Sequence, residues 1–576
     1  MQKMKLSALF TVFISLILGA CSSKIIPATD SPDSLTAIIQ DFEKRISVPE
    51  EENPGYMRNL SDPYLKAEKS KLGKIKKRLA NLDKLSLREE ELINLDMLNL
   101  VVQNRLFELE YESHLIPLNA EGGFLAGIVY STRGSGVRDS VSFERYKNRL
   151  RTLPDYLQMR KDHMTTGQAA GKSSPKIVIS NCIRLVEGWL DTPVENSFFI
   201  NPVKEDPERK MEVINIVKNT VYPSCLSFLD FLKNEYLVKA PEKVGISNST
   251  DGKEYYEQRT KYFTTLNMHP QEVFDTGKKE VTRIRGEMEA IIDQLGFEGS
   301  YAEFLNFLRT DPQFYPKSGE ELLKQAAWIT KEMEGQLPKY FGKLPRMPLT
   351  VKPVPAALAP NYTGGRYSPG SYANQKAGEY WVNTYKLESR PYYVLPALSL
   401  HEGVPGHHLQ IMLAAEMEEM PNFRQRTYIS AFGEGWGLYA EYLGKEAGIY
   451  KTPYENFGRL TYEMWRACRL VVDPGMHYFG WSRQKALDFM AENTALSIHE
   501  VTTEIDRYIG WPGQAVSYKI GELKIRALRA KAEKELGAKF DIRSFHDEIL
   551  KNGSVPLASL ERIIEQYVQR KKEIMP

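Results

Sequence analysis

Cysteine is scarce in this chain, with four in 576 residues, and Cys21 stands directly after the N-terminal leader. Cys182, Cys225 and Cys468 remain for the body, and no Cys-x-x-Cys pair occurs. That excludes a disulfide-framework protein and gives no support to redox or cysteine-held structural-metal chemistry. One disulfide, most simply Cys182–Cys225, and burial of all three thiols as small apolar side chains are the two readings left open. Neither sign of charge is in excess, since 76 Lys and Arg against 74 Asp and Glu leave +2. No nucleic acid and no broadly acidic surface is therefore expected as a partner. No Gly-x-Ser-x-Gly elbow occurs, which argues against a serine hydrolase. Beyond the leader, no segment has the length and apolarity of a membrane span.

The leader reads as an address. Lys3 and Lys5 precede an apolar run from Leu6 to Leu18, and small residues follow. This is a secretory signal, and the run falls short of the roughly 20 residues a spanning helix needs. Leu18-Gly19-Ala20-Cys21 resembles a bacterial lipobox, which makes residues 1–20 a lipoprotein signal peptide and Cys21 the lipidated first residue. Ser22 follows, without the Asp that often marks inner-membrane retention. By analogy with Gram-negative lipoproteins, the expected place is the cell envelope, on the outer membrane facing the periplasm or the surface. Contact with the membrane is then through the N-terminal lipid only. Residues 21–47 mix Ser, Pro and charge and read as a tether into a first helix.

From 48 to 345 helix-length amphipathic stretches dominate, including 85–110, 142–164 and 270–296. The basic run from Lys66 to Arg78 carries Leu72, Ile75 and Leu79 at helical spacing, so it reads as the wet face of a helix. Residues 346–576 form a second region. It opens with short β-compatible pieces, 349–352 and 379–383, set among Gly-, Pro- and Tyr-rich loops. From Arg424 it is helical again, with a loop at Trp511-Pro512-Gly513. No long linker separates the two regions.

What the chain does have is histidine concentrated in one place. The stretch His401-Glu402-Gly403-Val404-Pro405-Gly406-His407-His408 holds three of its nine histidines beside a glutamate. A zinc-peptidase motif of the form His-Glu-x-x-His puts two imidazoles one helical turn apart. Here the spacing is too long for that. At about 100° per residue, His401 and His407 would face opposite sides of a regular helix. His408 would return to the first face, but roughly 10 Å further along the axis. Metal–nitrogen bonds are only about 2 Å, so neither pair shares a metal on an unbroken helix. Gly403, Pro405 and Gly406 lie between them and permit a bulge. A bulge that absorbs two residues brings His407 to the second-ligand position; the alternative is a Gly-Pro loop carrying surface histidines.

Two imidazoles leave a catalytic zinc one protein ligand short. Glu434, in Gly433-Glu434-Gly435-Trp436-Gly437-Leu438-Tyr439-Ala440-Glu441, can supply it if the chain finishes one helix, turns near Pro421-Asn422 and returns antiparallel. Glu441, two turns on, then becomes an acceptor for an imidazole N–H. The bland reading of Glu434 is a solvated helical carboxylate, but the flanking glycines and Trp436 favour close packing.

These residues carry a resemblance. The Glu434–Glu441 run resembles the Glu-Gly-Phe-Ala-x-Tyr-x-Glu segment of aminopeptidase N-like gluzincins, whose first Glu binds zinc. The stretched His-Glu…Gly-His resembles that of dipeptidyl peptidase III, which has one inserted residue rather than two. A fuller resemblance is to the bacterial domain-of-unknown-function 885 family, grouped with metallopeptidases. Its His-Glu-x-x-Pro-Gly-His-His-Leu-Gln pattern is matched by His401 to Gln410, and further matches run through 504–519 and 545–557. The resemblance implies a mainly α-helical, zincin-like metallopeptidase with one small β-sheet beside the metal-binding helix.

On this reading His401, His407 and Glu434 hold one Zn²⁺ per chain, Glu402 is the proton acceptor, and His408 with Glu441 supports the ligands. Tyr518, Tyr508 and His477 are candidates to stabilise the oxyanion, as is Arg507, which alternatively clamps a substrate carboxylate. Tyr380, Trp381 and Asn383 are a candidate strand edge for pairing with a peptide substrate, or a strand buried for structure alone. The expected function is zinc-dependent peptide hydrolysis in the envelope. The alternatives are a non-catalytic peptide- or envelope-binding lipoprotein and a metal-dependent hydrolase of a non-peptide amide.

Overall fold

The computed structural model describes residues 34–44, 60–120, 122–133, 136–356, 359, 362–417 and 420–573. The leader, Cys21 and most of the expected tether lie outside the described residues. The described residues are mainly helical, with one three-stranded sheet among them. A first helix, Leu35–Glu43, already begins inside the stretch read as tether, capped by the Ser34 hydroxyl, which accepts from Ala37 N at 3.2 Å. The lysine-rich run forms the helix Asp62–Ala80, which buries Leu65, Leu72, Ile75 and Leu79 and leaves its charges to solvent. The 142–164 periodicity resolves into two helices, Ser140–Arg151 and Leu153–Ala169. Pro154 lacks an N–H, so it sits in a first turn rather than continuing the earlier ladder. Cys182, Cys225 and Cys468 are buried free thiols, so the Cys182–Cys225 disulfide is not formed.

The sheet consists of β1 (Leu349–Pro353), β2 (Gly365–Ser368) and β3 (Gly378–Val382) in the order β1-β3-β2. β3 runs parallel to β1 and antiparallel to β2, with Val351 and Tyr367 flanking Tyr380. This corrects the expectation for Tyr380, Trp381 and Asn383. β3 is the middle strand, so both of its backbone edges are already paired and none is left for a peptide. Tyr380 is fully buried, and the Trp381 indole donates to Glu379 at 3.0 Å. The Asn383 amide donates to the carbonyls of Ala359, Tyr362 and Thr363 at 2.9–3.0 Å. These three residues hold the sheet and its loop together. The edge beside the histidines belongs to β2.

Two long helix pairs frame the site. Ser430–Glu446 packs along Ser517–Leu536, and Pro453–His477 packs along Pro270–Leu295. The last of these closes on Gly296, whose φ of 65° lies in the left-handed region that favours glycine at a helix end. The Pro453–His477 helix is buried from Phe457 onward, so the charged residues it carries are forced into the interior. One continuous apolar core joins both sequence regions, from Leu35 to Val568.

Candidate functional site

The helix Leu395–Glu402 is buried along its whole length and carries Pro396 in its first turn, where a missing N–H costs nothing. It stops at Gly403, and His407–Ala415 forms the next helix. Between them Gly406 N donates to Leu400 O at 2.9 Å, two residues further back than the α-helical ladder would reach. Two residues are thus looped out of the helical path. Gly406 has no room for a side chain, since a Cβ there would lie 2.0 Å from His401 O. The Val404–Pro405 peptide is cis, and Pro405 O accepts from Trp436 Nε1 at 2.8 Å, which ties the loop to the Ser430–Glu446 helix.

The loop brings His407 round to His401, their rings at 89° and their centroids 4.8 Å apart. Glu434 arrives from the returning helix with Oε2 3.4 Å from His401 Nε2 and 3.5 Å from His407 Nε2. The ligand-type atoms of His401, Glu402 and His407 lie within 4.8 Å of one another. Glu441 takes the far nitrogen of His401, Nδ1 to Oε1, at 2.8 Å. Gly437 permits that approach, because a Cβ there would stand 2.5 Å from His401 Cε1. Burial opposes ionisation of Glu434, yet the His407 and His401 imidazoles hold its carboxyl well below the usual range. Burial likewise works against charge on His401, but Glu434 and Glu441 push it up to about 9. Carboxylates outnumber imidazoles in this enclosed space, a donor set that a divalent cation would neutralise.

Glu402 Oε2 accepts from Tyr367 N of β2 at 2.8 Å, which fixes the carboxylate beside the cluster. His408 turns away: its Nδ1 meets Tyr367 Oη at 2.9 Å and its Nε2 meets Met347 O at 3.0 Å. Both nitrogens are engaged, and none is left for a metal. Tyr428 was not legible as a site residue, yet its hydroxyl donates to Glu434 Oε1 at 3.0 Å. The only local sign of it is Gly433, where a Cβ would meet the Tyr428 ring.

A cleft of about 650 Å³ opens on this cluster. Gly365, Arg366 and Tyr367 of β2 line one side, and Arg466, Arg469 and Tyr518 line another. Burial, then the Glu434 carboxylate, raises the Tyr518 phenol, so it stays protonated and able to donate. Arg507 also lines the cleft, but it is engaged by Glu504 Oε2 at 3.0 Å and Gln514 Oε1 at 2.8 Å.

Tyr508 and His477 require correction, because neither reaches the cleft. The Tyr508 hydroxyl lies behind the wall, accepting from Trp465 Nε1 at 2.9 Å and Arg469 Nε at 2.6 Å. His477 is fully buried, with Nδ1 accepting from Ile246 N at 3.1 Å and Nε2 3.0 Å from Tyr508 O. Burial lowers its pKa to about 4, as suits a neutral structural imidazole. Arg466 and Arg469, like Tyr428, are residues that sequence reasoning missed. Their signal was two arginines on one helical face beside Tyr462 and Trp465, in a stretch otherwise suited to a core.

A family model described as "Bacterial protein of unknown function (DUF885)" matches residues 49–564. The crystal structure of a candidate lipoprotein from Colwellia psychrerythraea is similar over 93% of this chain and 96% of its own, with 28% identity and a TM-score of 0.83. A candidate lipoprotein of unknown function from Shewanella oneidensis shares the fold over 92% of this chain and 97% of its own, with 17% identity and a TM-score of 0.71. Among curated proteins none matches. With the family match running through nearly all of the described fold, the chain belongs to the DUF885 family of bacterial proteins.

Proposed function

We propose that this protein is a zinc-dependent hydrolase of the gluzincin type that cleaves peptides in the cell envelope. The observation that carries the reading is the meeting of His401 Nε2, His407 Nε2 and Glu434 Oε2 with Glu402 beside them. Two imidazoles and one carboxylate are a catalytic zinc donor set, with a fourth position left for water. Glu441 on His401 Nδ1 fits as well, since it selects the tautomer that presents Nε2 to a metal. The small sheet beside the motif helix supports a zincin-like arrangement.

Bound zinc would polarise the scissile carbonyl and lower the pKa of water towards about 7. Glu402 would take the proton from the attacking water and return it to the leaving amine, worth roughly 10²- to 10⁴-fold in rate. Water oxygen joins the carbonyl carbon as the amide C–N bond breaks. Tyr518 lines the cleft with its phenol protonated and is the donor available to the developing oxyanion, whereas the Tyr428 hydroxyl is already given to Glu434. Gly365 and Arg366 of β2 line the cleft and give an extended peptide a surface to lie along, while Tyr367 N is already held by Glu402.

The sequence around Cys21 and the description of both structural neighbours as candidate lipoproteins support an envelope lipoprotein held by its N-terminal lipid, and Ser22 in place of a retention Asp favours the outer membrane. No helix among the described residues is long and apolar enough to cross a membrane. Cys21→Ser should leave the precursor unprocessed or release the protein from membranes; a variant still anchored like wild type would refute the lipid assignment.

Glu402→Gln tests the hydrolase reading, since it keeps the side-chain shape and removes the base. Zinc should stay near one per chain while turnover of a cleavable peptide falls by about 10² or more. Wild-type turnover in that variant would sink the mechanism. If metal-loaded wild type cleaves neither peptides nor other amides but binds peptides tightly, a binding lipoprotein becomes the better account.

A further inference from the structure

Arg466 and Arg469 line the cleft from the buried Pro453–His477 helix and are only 5% and 2% exposed. A guanidinium has five N–H donors, and burial normally requires that they be matched. Arg469 places Nε on the Tyr508 hydroxyl and Nη2 on Glu504 at 3.0 Å, but its Nη1 has no partner. Arg466 is barer. Its Nη1 reaches Tyr462 O only at 3.5 Å, its Nε has no partner, and Glu441 Oε1 stands 3.8 Å from Nη2. That Glu441 oxygen is already engaged by His401 at 2.8 Å.

Both guanidinium planes are held by aromatic faces. Arg466 lies 4.0 Å from the Trp465 centroid and Arg469 lies 4.2 Å from that of Tyr518. Their faces are therefore covered, and recognition falls to the in-plane N–H groups, the geometry that suits a carboxylate. The acids on this wall do not offset the charge. Glu504 is shared between Arg469 and Arg507, and burial pushes the Glu500 carboxyl up towards its neutral form.

We infer that Arg466 and Arg469 form a subsite for a substrate carboxylate close to the scissile bond. The subsite is linked to the metal cluster through Glu441 by contacts of 3.8 Å and 2.8 Å. That short path keeps the guanidinium within a few extended residues of a carbonyl reacting beside His401 Nε2. A C-terminal carboxylate and an acidic side chain share this chemistry. In the first case the enzyme releases short C-terminal fragments; in the second it selects acidic sequences. The reaction itself rests on the hydrolase reading above, whereas the carboxylate subsite does not.

Matched neutral peptides, one ending in a free acid and one in an amide, separate the cases, with a third amide carrying Glu near its end. Zinc-loaded wild type should favour the free acid over the neutral amide by about tenfold or more in kcat/KM if the terminus is read. If a side chain is read, only the Glu-bearing amide should gain. Equal cleavage of all three overturns the subsite while leaving the hydrolase reading intact. The same peptides bound to Glu402→Gln protein, followed by calorimetry, give a readout without turnover. Equal affinities there again overturn the subsite. A carboxylate preference in binding with no cleavage by wild type keeps the subsite and removes the hydrolase. In Arg466→Met the preference should collapse, with zinc content and melting temperature as checks on folding.

Discussion

His407 and His408 are adjacent in the chain and differ in what their nitrogens can still do. His407 presents Nε2 to Glu434, 3.5 Å away, while its Nδ1 is buried without a partner. His408 has given one nitrogen to Tyr367 and the other to Met347 O. Loss of supporting residues around a metal typically costs 10- to 100-fold in affinity, so His407→Ala, which removes a proposed ligand, should cost more than about 100-fold. His408→Ala should keep the zinc but lose about 1–3 kcal/mol of stability, because the Met347 carbonyl and the Tyr367 hydroxyl are left unsatisfied. Equilibrium dialysis and urea unfolding report the two effects separately; equal zinc loss in both variants would mean the loop presents the wrong imidazole. Asp473 supplies a pH test away from the metal. Burial pushes its carboxyl up to about 7, although Tyr256 Oη at 2.6 Å and Gly513 N at 3.0 Å both donate to it. His477 Nε2, the nearest basic group, is 4.0 Å away and itself neutral by burial. The folded protein keeps this proton to about pH 7, while the unfolded chain releases it near 3.8. The stability tied to it is therefore complete below about pH 4 and lost as pH rises to about 7. Asp473→Asn and wild type should melt alike near pH 4, with wild type falling behind by a few kcal/mol near pH 7. A gap that stays constant with pH would show that Asp473 is ionised in the fold.

Helices carry the site, and one glycine sets how closely two of them approach. At Gly437 a Cβ would lie 2.5 Å from His401 Cε1 and 2.7 Å from its Nε2. Gly437→Ala gains about 1 kcal/mol of helix propensity and loses about 1–3 kcal/mol to overpacking, so net stability should move little. His401 is displaced nevertheless, and zinc affinity should fall by about tenfold or more. Unchanged zinc affinity would show that the imbalance is relieved without moving the imidazole. The helices themselves were legible, because buried positions such as Leu72, Ile75 and Leu79 recur at the helical period. The amphipathic period runs on through Pro154, but the backbone breaks there into two helices, so the pattern alone hides the boundary. His401, Glu402, His407 and Glu434 were legible from spacing and the need for a third ligand. Tyr428, Arg466 and Arg469 were not, because their roles depend on helices meeting across the cleft. The β3 assignment shows the same limit: alternation marks a strand, but which strands flank it depends on tertiary order. β2 has only four residues and left too short a pattern to be seen as the true edge.

At the scale of the whole molecule, the division near residue 345 is one of sequence character, and the packing crosses it. The Pro270–Leu295 helix from the first region lies along the Pro453–His477 helix of the second. Arg283 pairs with Glu463 across this contact, and the fully buried Lys519 meets Glu280 at 3.2 Å and Glu463 at 2.8 Å. Removing one side of a buried ion pair costs about 3–5 kcal/mol, because the remaining charge is left in a poor solvent. A fragment of residues 346–576 would strand Lys519 and Glu463 in part and expose the apolar face that the Pro270–Leu295 helix now covers. Those losses together match or exceed the roughly 5–15 kcal/mol that holds an ordinary domain folded. The full chain should therefore unfold in one calorimetric transition, with zinc loss and loss of near-ultraviolet dichroism falling together. The 346–576 fragment, despite containing every proposed zinc ligand, should show neither a cooperative transition nor tight zinc binding. Two resolved transitions in the full chain, or a fragment that folds and holds zinc, would establish that the half carrying the His401–Glu434 cluster is an independent domain and that the ion pairs across the boundary add little.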